Sequence, residues 1–537
     1  MAIEEPASTL LDLPDPCLAA VLRCCNSDQR CLFNAAKAHS RLRQAAVLAL
    51  CSIKAVKATQ QQADSMLQYL ENHGQHLDSI SISGDDYCTV ALPLPGNLHL
   101  HSVQFDSVGL QLRPGHGLLG VLGPAAGVAA LTQLRLSDCK LGDSMPAVAL
   151  AAAMWQLPQG LQHLCIGSSS SSTTRFDFPA DVCRQLQQLT HLELTGVDVV
   201  NADADADPAG PVLQDLQALT RLVDLRLHDM EAVDITAAML SGIRQLTRFE
   251  MSLCGSLEIS ALEGRTQLQH LALRVMLSDV QVAQLLSHLQ HMQQLTHLDL
   301  FDSFYTGEDA NPPGAPYSAL TASSKLAHLN LSACELPAGV WQHVFPVGRQ
   351  LPHLHYLNIE CTLTFAGQYG IPPTCSTLVS CCPNLQLLNI SYQQYSAELV
   401  ATLHRLTELT GLSSLSLGDD DYTGEGMEVV CQLTGLQELA LRFPSSTLEG
   451  LLLQLTQLKQ LTALTYEGHF DGACKDTHFT DQVSHPSLLL LCPPVSMFAV
   501  SELLRTRPVV SLPACLRVLL VHVAHTPEGT PELPCLT

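Results

Sequence analysis

The chain has 537 residues, 47% of them hydrophobic and 15% charged, so it can bury a long core and is not a disordered polyelectrolyte. A net charge of −24, from 51 acidic and 27 basic residues with no basic run, argues against nucleic acid as a partner and for basic partners. No stretch reaches the ~20 apolar residues of a membrane span; the nearest, Leu488–Val500, is broken by Pro493-Pro494. The N-terminus carries Glu4, Glu5 and Asp12 instead of the basic and apolar regions of a signal peptide. Its 20 cysteines are scattered without a Cys-x-x-Cys pair. These features lead us to expect a soluble, cytoplasmic or nuclear protein with reduced, mostly buried thiols.

In chain order, the first segment spans residues 8–57. Leu18, Val21, Leu22 and Cys25 fall at i, i+3, i+4 and i+7, one face of a helix begun at a proline. Asn26-Ser27 breaks it and can cap a second helix with Leu32, Ala35, Ala36 and His39 in its stripe. A third runs from Ser40 through Leu42, Ala45, Ala46 and Leu48. Three short helices make too small a core to stand alone, and gain by packing on the following chain or on a partner. The segment resembles an F-box. Leu13-Pro14-Asp15 matches the family's opening, Leu18 and the Val21-Leu22 pair its buried positions, and Ser40-Arg41-Leu42-Arg43 its closing basic cluster. Two positions depart: Leu42 stands for the usual Trp or Phe, and Ala36-Lys37 for the usual Val-Cys. The resemblance implies an adaptor-facing surface drawn from Leu13, Pro14, Leu18, Val21 and Leu22. Read without it, the helices are a cap that shields the first strand from solvent.

From residue 77 a ladder of the form Leu-x-x-Leu-x-Leu runs almost to the end. Its copies open at 77, 100, 131, 161, 189, 222, 246, 268, 295, 326, 354, 385, 412, 436, 461 and 516, with a degenerate copy at Leu488-Leu491. The last two leucines of each copy alternate with a variable residue, which is strand periodicity. Between strands, 278–294 has helical spacing, with a Ser278/Gln281 capping box and Val282, Leu285, Leu286, Leu289 and Met292 on one face. The stretch 396–406 repeats the pattern with Ser396, Leu399, Leu403 and Leu406. Two copies extend further, Leu131-Thr-Gln-Leu134-Arg-Leu136-Ser-Asp-Cys139-Lys-Leu141 and its counterpart from Leu326 to Leu336. This pattern resembles the leucine-rich repeat family over roughly residues 77–524. The expected fold is therefore α/β: a leucine-rich repeat solenoid of 16 to 17 repeats, a curved parallel sheet with outer helices, preceded by the small three-helix segment. The expected domains are 8–57, 58–524 and a C-terminal tail, 525–537. In the family the ninth position turns inward to bond loop backbone; Cys139, Cys254 and Cys334 match it, whereas Met230, Ser303 and Asp420 depart.

The variable residues of the strands share one face, the concave one in the expected solenoid. Successive copies pair His163/Cys165, His191/Glu193, Asp224/Arg226, Arg248/Glu250, His270/Ala272, His297/Asp299, His328/Asn330, Tyr356/Asn358 and Leu387/Asn389. Neighbouring strands lie about 4.8 Å apart, so these residues form columns on a face suited to a protein or peptide. His191, Glu193, Asp224, Arg226, Arg248, Glu250, His270, His297, Asp299, His328, Asn330 and Tyr356 are the candidate contacts. The recurring His of His270, His297 and His328 is open to a pH-sensitive contact, a metal site or a copied consensus; the consensus is favoured, because neighbouring strands set ligands in a row. Asp224/Arg226 beside Arg248/Glu250 reads as a recognition patch or, with more weight, as cross-strand charge pairing.

The remaining features carry little chemistry. Gly167–Thr174, Asp302–Ser324 and Gly468–Pro486 read as loops, the second on the outer or rim side. The Asp-Ala alternation ending at Asp207 lacks the turn Gly and terminal Glu of a calcium loop. No phosphate loop, dinucleotide fingerprint, His-Glu-x-x-His or Gly-x-Ser-x-Gly occurs, so neither a metal, a cofactor nor catalysis is expected. The two resemblances together imply a substrate receptor of an SCF-type ubiquitin ligase, monomeric outside its complex. Its F-box segment would dock the adaptor, and through it a cullin, while the repeats hold a protein substrate. The alternative is a repeat scaffold with no ligase link, in a cytoskeletal or axonemal assembly.

Overall fold

The computed structural model describes residues 15–24, 38–42, 46, 52–73, 77–84, 89–91, 99–111, 130–141, 157–168, 176–200, 213–230, 233–304, 314–337, 339–364, 375–391, 403–418, 425–444, 455 and 457–469. Sixteen strands are ordered along one sheet as they occur in the chain. They are β1 (Ser52–Ala58), β2 (Ser79–Gly84), β3 (Ser102–Asp106), β4 (Gln133–Ser137), β5 (His163–Gly167), β6 (His191–Thr195), β7 (Asp224–His228) and β8 (Arg248–Ser252). Then follow β9 (His270–Arg274), β10 (His297–Asp299), β11 (His328–Asn330), β12 (Tyr356–Asn358), β13 (Leu387–Asn389), β14 (Ser414–Gly418), β15 (Glu438–Pro444) and β16 (Ala463–His469). Pairing is parallel throughout β1–β8 and from β10 to β16, with equivalent residues in register, as in Leu192↔Leu225 and Leu329↔Leu357. Every ladder copy from 77 to 461 opens one of these strands, and the fold is the leucine-rich repeat solenoid. The copy at 516 and the degenerate one at Leu488 lie outside the described residues.

The chain divides into two compact units, residues 1–270 and 271–537. In the first, each repeat buries its ladder leucines completely: Leu161, Leu164, Leu189, Leu192, Leu194, Leu222, Leu225 and Leu227. Full burial of each such side chain contributes roughly 1.5–3 kcal/mol, the main term holding strand to strand. A second feature accompanies it. The carbonyl of Gln162 accepts from the N–H of both Thr190 and His191, and Thr190 Oγ1 donates to the same oxygen at 3.1 Å. Thr132 and Thr247 hook onto the carbonyls of His101 and Val223 in the same way. At these three repeats the Thr of the Leu-Thr-x-Leu consensus thus ties the strand start to the preceding repeat.

The sheet begins one strand earlier than the ladder. β1 lacks the leucine pattern and lies in the stretch assigned by sequence to the helical segment, yet Ile53 is buried opposite Ile80. Ile53 and Ala55 stand opposite Ile80 and Ile82, in the places the later ladder gives to Leu. Helix α1 (Asp15–Cys24) forms where the spacing predicts a helix. The second and third predicted helices are described only at residues 38–42 and 46, and Leu13 and Pro14 lie outside the described residues. A second helix, α2 (Gln60–His73), starts at a reciprocal cap in which Thr59 N–H donates to Gln62 Oε1 and Gln62 N–H to Thr59 Oγ1.

The side of the repeats opposite the variable face is built mostly of single turns. In the first unit these are the 3₁₀ turns Ala180–Arg184, Gln214–Ala218 and Ile259–Leu262 and the one-turn helix Ala237–Leu240. Copies only 22 to 33 residues long leave little chain for a full helix after strand and corner. Among the described residues the longest helix of the second unit is α3 (Asp279–Leu289), which buries the predicted Val282, Leu285, Leu286 and Leu289, while the predicted Met292 is buried in the turn that follows it. Its start is held by Gln281 Oε1, which accepts from both the N–H and the hydroxyl of Ser278. Of the predicted 396–406 helix, Leu403 and Leu406 are described and buried. Asp302–Ser324 is not simply a surface loop. Its described end, Ala315–Thr321, is a 3₁₀ helix with Tyr317, Ala319 and Leu320 buried, and Tyr317 meets Phe304 edge-on. A proline-rich composition masked the apolar turn behind it.

Repeat corners follow one rule. The residue after the strand takes positive φ at Ser107, Asp138, Gly196, Asp229 and Leu253, and in the second unit the third residue after the strand does so at Asp302, Ala333 and Cys361. At Asp138, Gly196 and Asp229 the N–H reaches the carbonyl of the next strand at 2.8–2.9 Å. The ninth-position side chains point inward as expected, Cys334 Sγ to Leu300 O at 2.8 Å and Cys254 Sγ to Leu227 O at 3.4 Å. Two others do the same work: Ser303 bonds Leu273 O and Thr362 bonds Leu331 O, whereas Met230 fills its slot as a buried apolar side chain.

Candidate recognition face

Parallel registration brings the predicted columns together on the first unit. His191, Glu193, Asp224, Arg226, Arg248 and Glu250 form one continuous polar network with His270. Arg226 grips Asp224 with two parallel bonds, Nε to Oδ1 at 3.1 Å and Nη2 to Oδ2 at 2.9 Å, and approaches Glu193 at 3.9 Å. Arg248 Nε donates to Glu250 Oε1 at 2.7 Å and stands 3.9 Å from Asp224. His270 Nε2 lies 2.9 Å from Glu250, and His228, which the sequence did not single out, lies 3.7 Å from it and 2.7 Å from Ser252 Oγ.

Charge alternates along this network, and its titration behaviour follows. Burial tends to raise the Glu250 carboxyl, but His270 and Arg248 outweigh it and hold the group at about 2. Burial also opposes the ionised form of Asp224, while His191 and Arg226 win and lower it. His191 is driven up to about 11 by hydrogen bonding to Asp224, Cys165 and Glu193. Beside it His163 is lowered, first by burial and then by the His191 charge 5.7 Å away, ring centre to ring centre.

On the second unit the face divides in two. His297, His328 and Tyr356 stack in register, with ring centres 5.5 and 3.8 Å apart. Beyond Tyr356 a shallow depression of about 310 Å³ is lined by His355, Gln386, Leu387, Ser413, Ser414, Gln437 and Glu438. Asp299 and Asn330, also expected on the contact face, are buried. Asn330 Nδ2 donates to Asp299 Oδ1, its Oδ1 accepts from Ser332, and Arg274 pairs with Asp299 at 2.8 Å. Asn358 and Asn389 continue the ladder through Glu360 and Ser391. These side chains serve the neighbouring backbone because strands β10–β13 are only three residues long and end at them.

On helix α1 the expected adaptor-facing set separates. Leu18 is fully buried, Leu22 half-buried, and Val21 is 38% exposed.

The chain matches no family model and no curated protein sequence. Among solved structures it is similar to an internalin (inlF) from Listeria monocytogenes, at 15% identity and a TM-score of 0.40 over 77% of this chain and 94% of that one. It is also similar to the plant peptide hormone receptor RGFR1 in complex with RGF2, at 14% identity and 0.40 over 73% and 76%. A third is TLR13 in its complex with ssRNA13, at 14% identity and 0.38 over 78% and 63%.

Proposed function

We propose that the protein is a non-catalytic recognition subunit. The variable face of its repeats binds a protein segment, and helix α1 couples it to the adaptor of an SCF-type, cullin-based ubiquitin ligase in the cytoplasm. The carrying observation is the polar network from His191 to His270. Its side chains are already held by their neighbours, so presenting them to a partner costs little further ordering. The surplus of acidic residues favours a basic segment as ligand. For the adaptor, the support is the F-box-like opening of the chain and the exposed apolar Val21 on a helix whose Leu18 packs inward.

That division of labour selects the test. Leu18→Ala damages packing, whereas Val21→Asp changes only an exposed position. The full chain should capture purified adaptor, and Val21→Asp should abolish capture without moving the urea midpoint. Absence of capture by the folded wild-type chain would overturn the ligase part and leave an interaction scaffold.

A further inference from the structure

We infer that Cys165, His191 and Glu193 form a binding site for a divalent transition metal ion of the zinc class, with its fourth coordination position open to solvent or to a side chain of a bound partner. The inference does not depend on the ligase reading. The three residues present one soft sulfur, one imidazole and one carboxylate, and their ligand atoms all lie within 4.8 Å of one another. Four-coordinate zinc takes these donor types at ~2.3, ~2.0 and ~2.1 Å, which places donors about 3.4–3.6 Å apart. His191 Nε2 already stands 3.7 Å from Glu193 Oε2.

The sheet explains why a metal can fit here and not along the other histidines. Cys165 and Glu193 are lateral neighbours on β5 and β6, and His191 sits two residues before Glu193 on the same face. One lateral and one along-strand step make a triangle around a point. His297 and His328 are purely lateral, and their rings stack in a row.

A second observation supports the site. Asp224, on β7, accepts from His191 Nδ1 at 2.9 Å. A carboxylate on one ring nitrogen fixes the tautomer and aims the lone pair of the other, the outer-shell arrangement typical of metal-bound histidine. Here it aims Nε2 toward Cys165 and Glu193. Arg226 then balances Asp224. With Cys165 coordinating as thiolate, its proton and the proton that the raised His191 imidazolium carries on Nε2 both leave to solvent. The charges of Zn²⁺, the thiolate and the Glu193 carboxylate then cancel. All three ligands lie on partly or largely covered positions, Cys165 at 8% exposure, so the ion would be shielded yet reachable from the variable face.

The test uses the full chain stripped by chelator. Zn²⁺ is titrated against a chromophoric competitor, and Co²⁺ reports thiolate ligation through its sulfur-to-metal absorption band. One equivalent of Zn²⁺ should bind, with a Co²⁺–thiolate band. Cys165→Ser and His191→Gln should weaken binding about 100-fold or more and remove the band or shift it. Asp224→Asn should weaken it about 10–100-fold as an outer-shell change. Cys17→Ser, an exposed cysteine elsewhere, should leave it intact, and circular dichroism checks that each variant is folded. Binding that survives in folded Cys165→Ser and His191→Gln, or a folded wild-type chain that takes up no zinc, would overturn the inference.

Discussion

Asn330 Nδ2 donates to Asp299 Oδ1 at 2.9 Å, joining two adjacent three-residue strands by a buried side-chain bond where their backbone pairing stops. Both residues stand in the variable slots that elsewhere hold the candidate recognition residues, yet they are spent on holding the repeats. Asn330→Ala removes this bond and the acceptor for Ser332, leaving buried partners unsatisfied, so it should destabilise the protein by roughly 2–3 kcal/mol. A urea midpoint shift measures it. A shift no larger than that of an exposed substitution such as His353→Ala would remove Asn330 from the structural ladder.

Glu250 should make stability depend on acid. Arg248, His228 and His270 face it, and its carboxyl falls from 4.5 to about 2 on folding. A depressed carboxyl contributes stability in full above its unfolded value and loses it as pH falls toward the folded one. Glu250→Gln should therefore cost roughly 1–3 kcal/mol at pH 7, a difference that narrows below pH ~4.5 and closes near pH ~2. Denaturation midpoints of both chains across that range decide it; a gap independent of pH would assign the loss to packing.

Leu253 sits at a repeat corner with φ of +49° and is 62% exposed. A branched side chain is strained in this region, where Gly196 serves at the equivalent corner. Leu253→Gly should stabilise the chain by about 0.5–1 kcal/mol, read as a higher melting temperature. A lower one would mean that the exposed leucine packs on something worth more than the strain.

Cys334 is fully buried with its thiol on Leu300 O, and burial pushes it up to about 12. It should resist alkylation at pH 8 in the native chain while Cys17 reacts, as peptide mapping would show. Cys334→Ser should retain most stability and Cys334→Ala lose about 1–2 kcal/mol. Equal losses in both would deny the inward bond any role.

Strand positions were legible because a period of two in leucines reports directly on which side is buried. The same period shows which residues share the opposite face, and it brought His191, Asp224, Arg226, Arg248 and Glu250 together as expected. It does not report strand length. Asp299 and Asn330 were therefore assigned to the same face, although the early end of their strands turns them to the backbone. β1 escaped because Ile53 and Ala55 replace the leucines. The Thr190 hook was on the page as Leu-Thr-x-Leu, but its partner is the carbonyl of a repeat 28 residues earlier, a contact that composition cannot show. His163/Cys165 and His191/Glu193 were likewise visible as pairs; their triangle and the aim of Asp224 required the register.

Those threonine hooks also bear on how the chain folds. Thr132 closes back over 31 residues, Thr190 over 28 and Thr247 over 24. Loop-closure entropy grows only with the logarithm of length, so these three closures differ by about 0.2 kcal/mol. This stretch of repeats thus presents itself to the folding search as a row of short, nearly equal closures. Topology favours no starting point among them. The nucleus goes to whichever pair of coils packs most tightly, and growth proceeds outward one coil at a time.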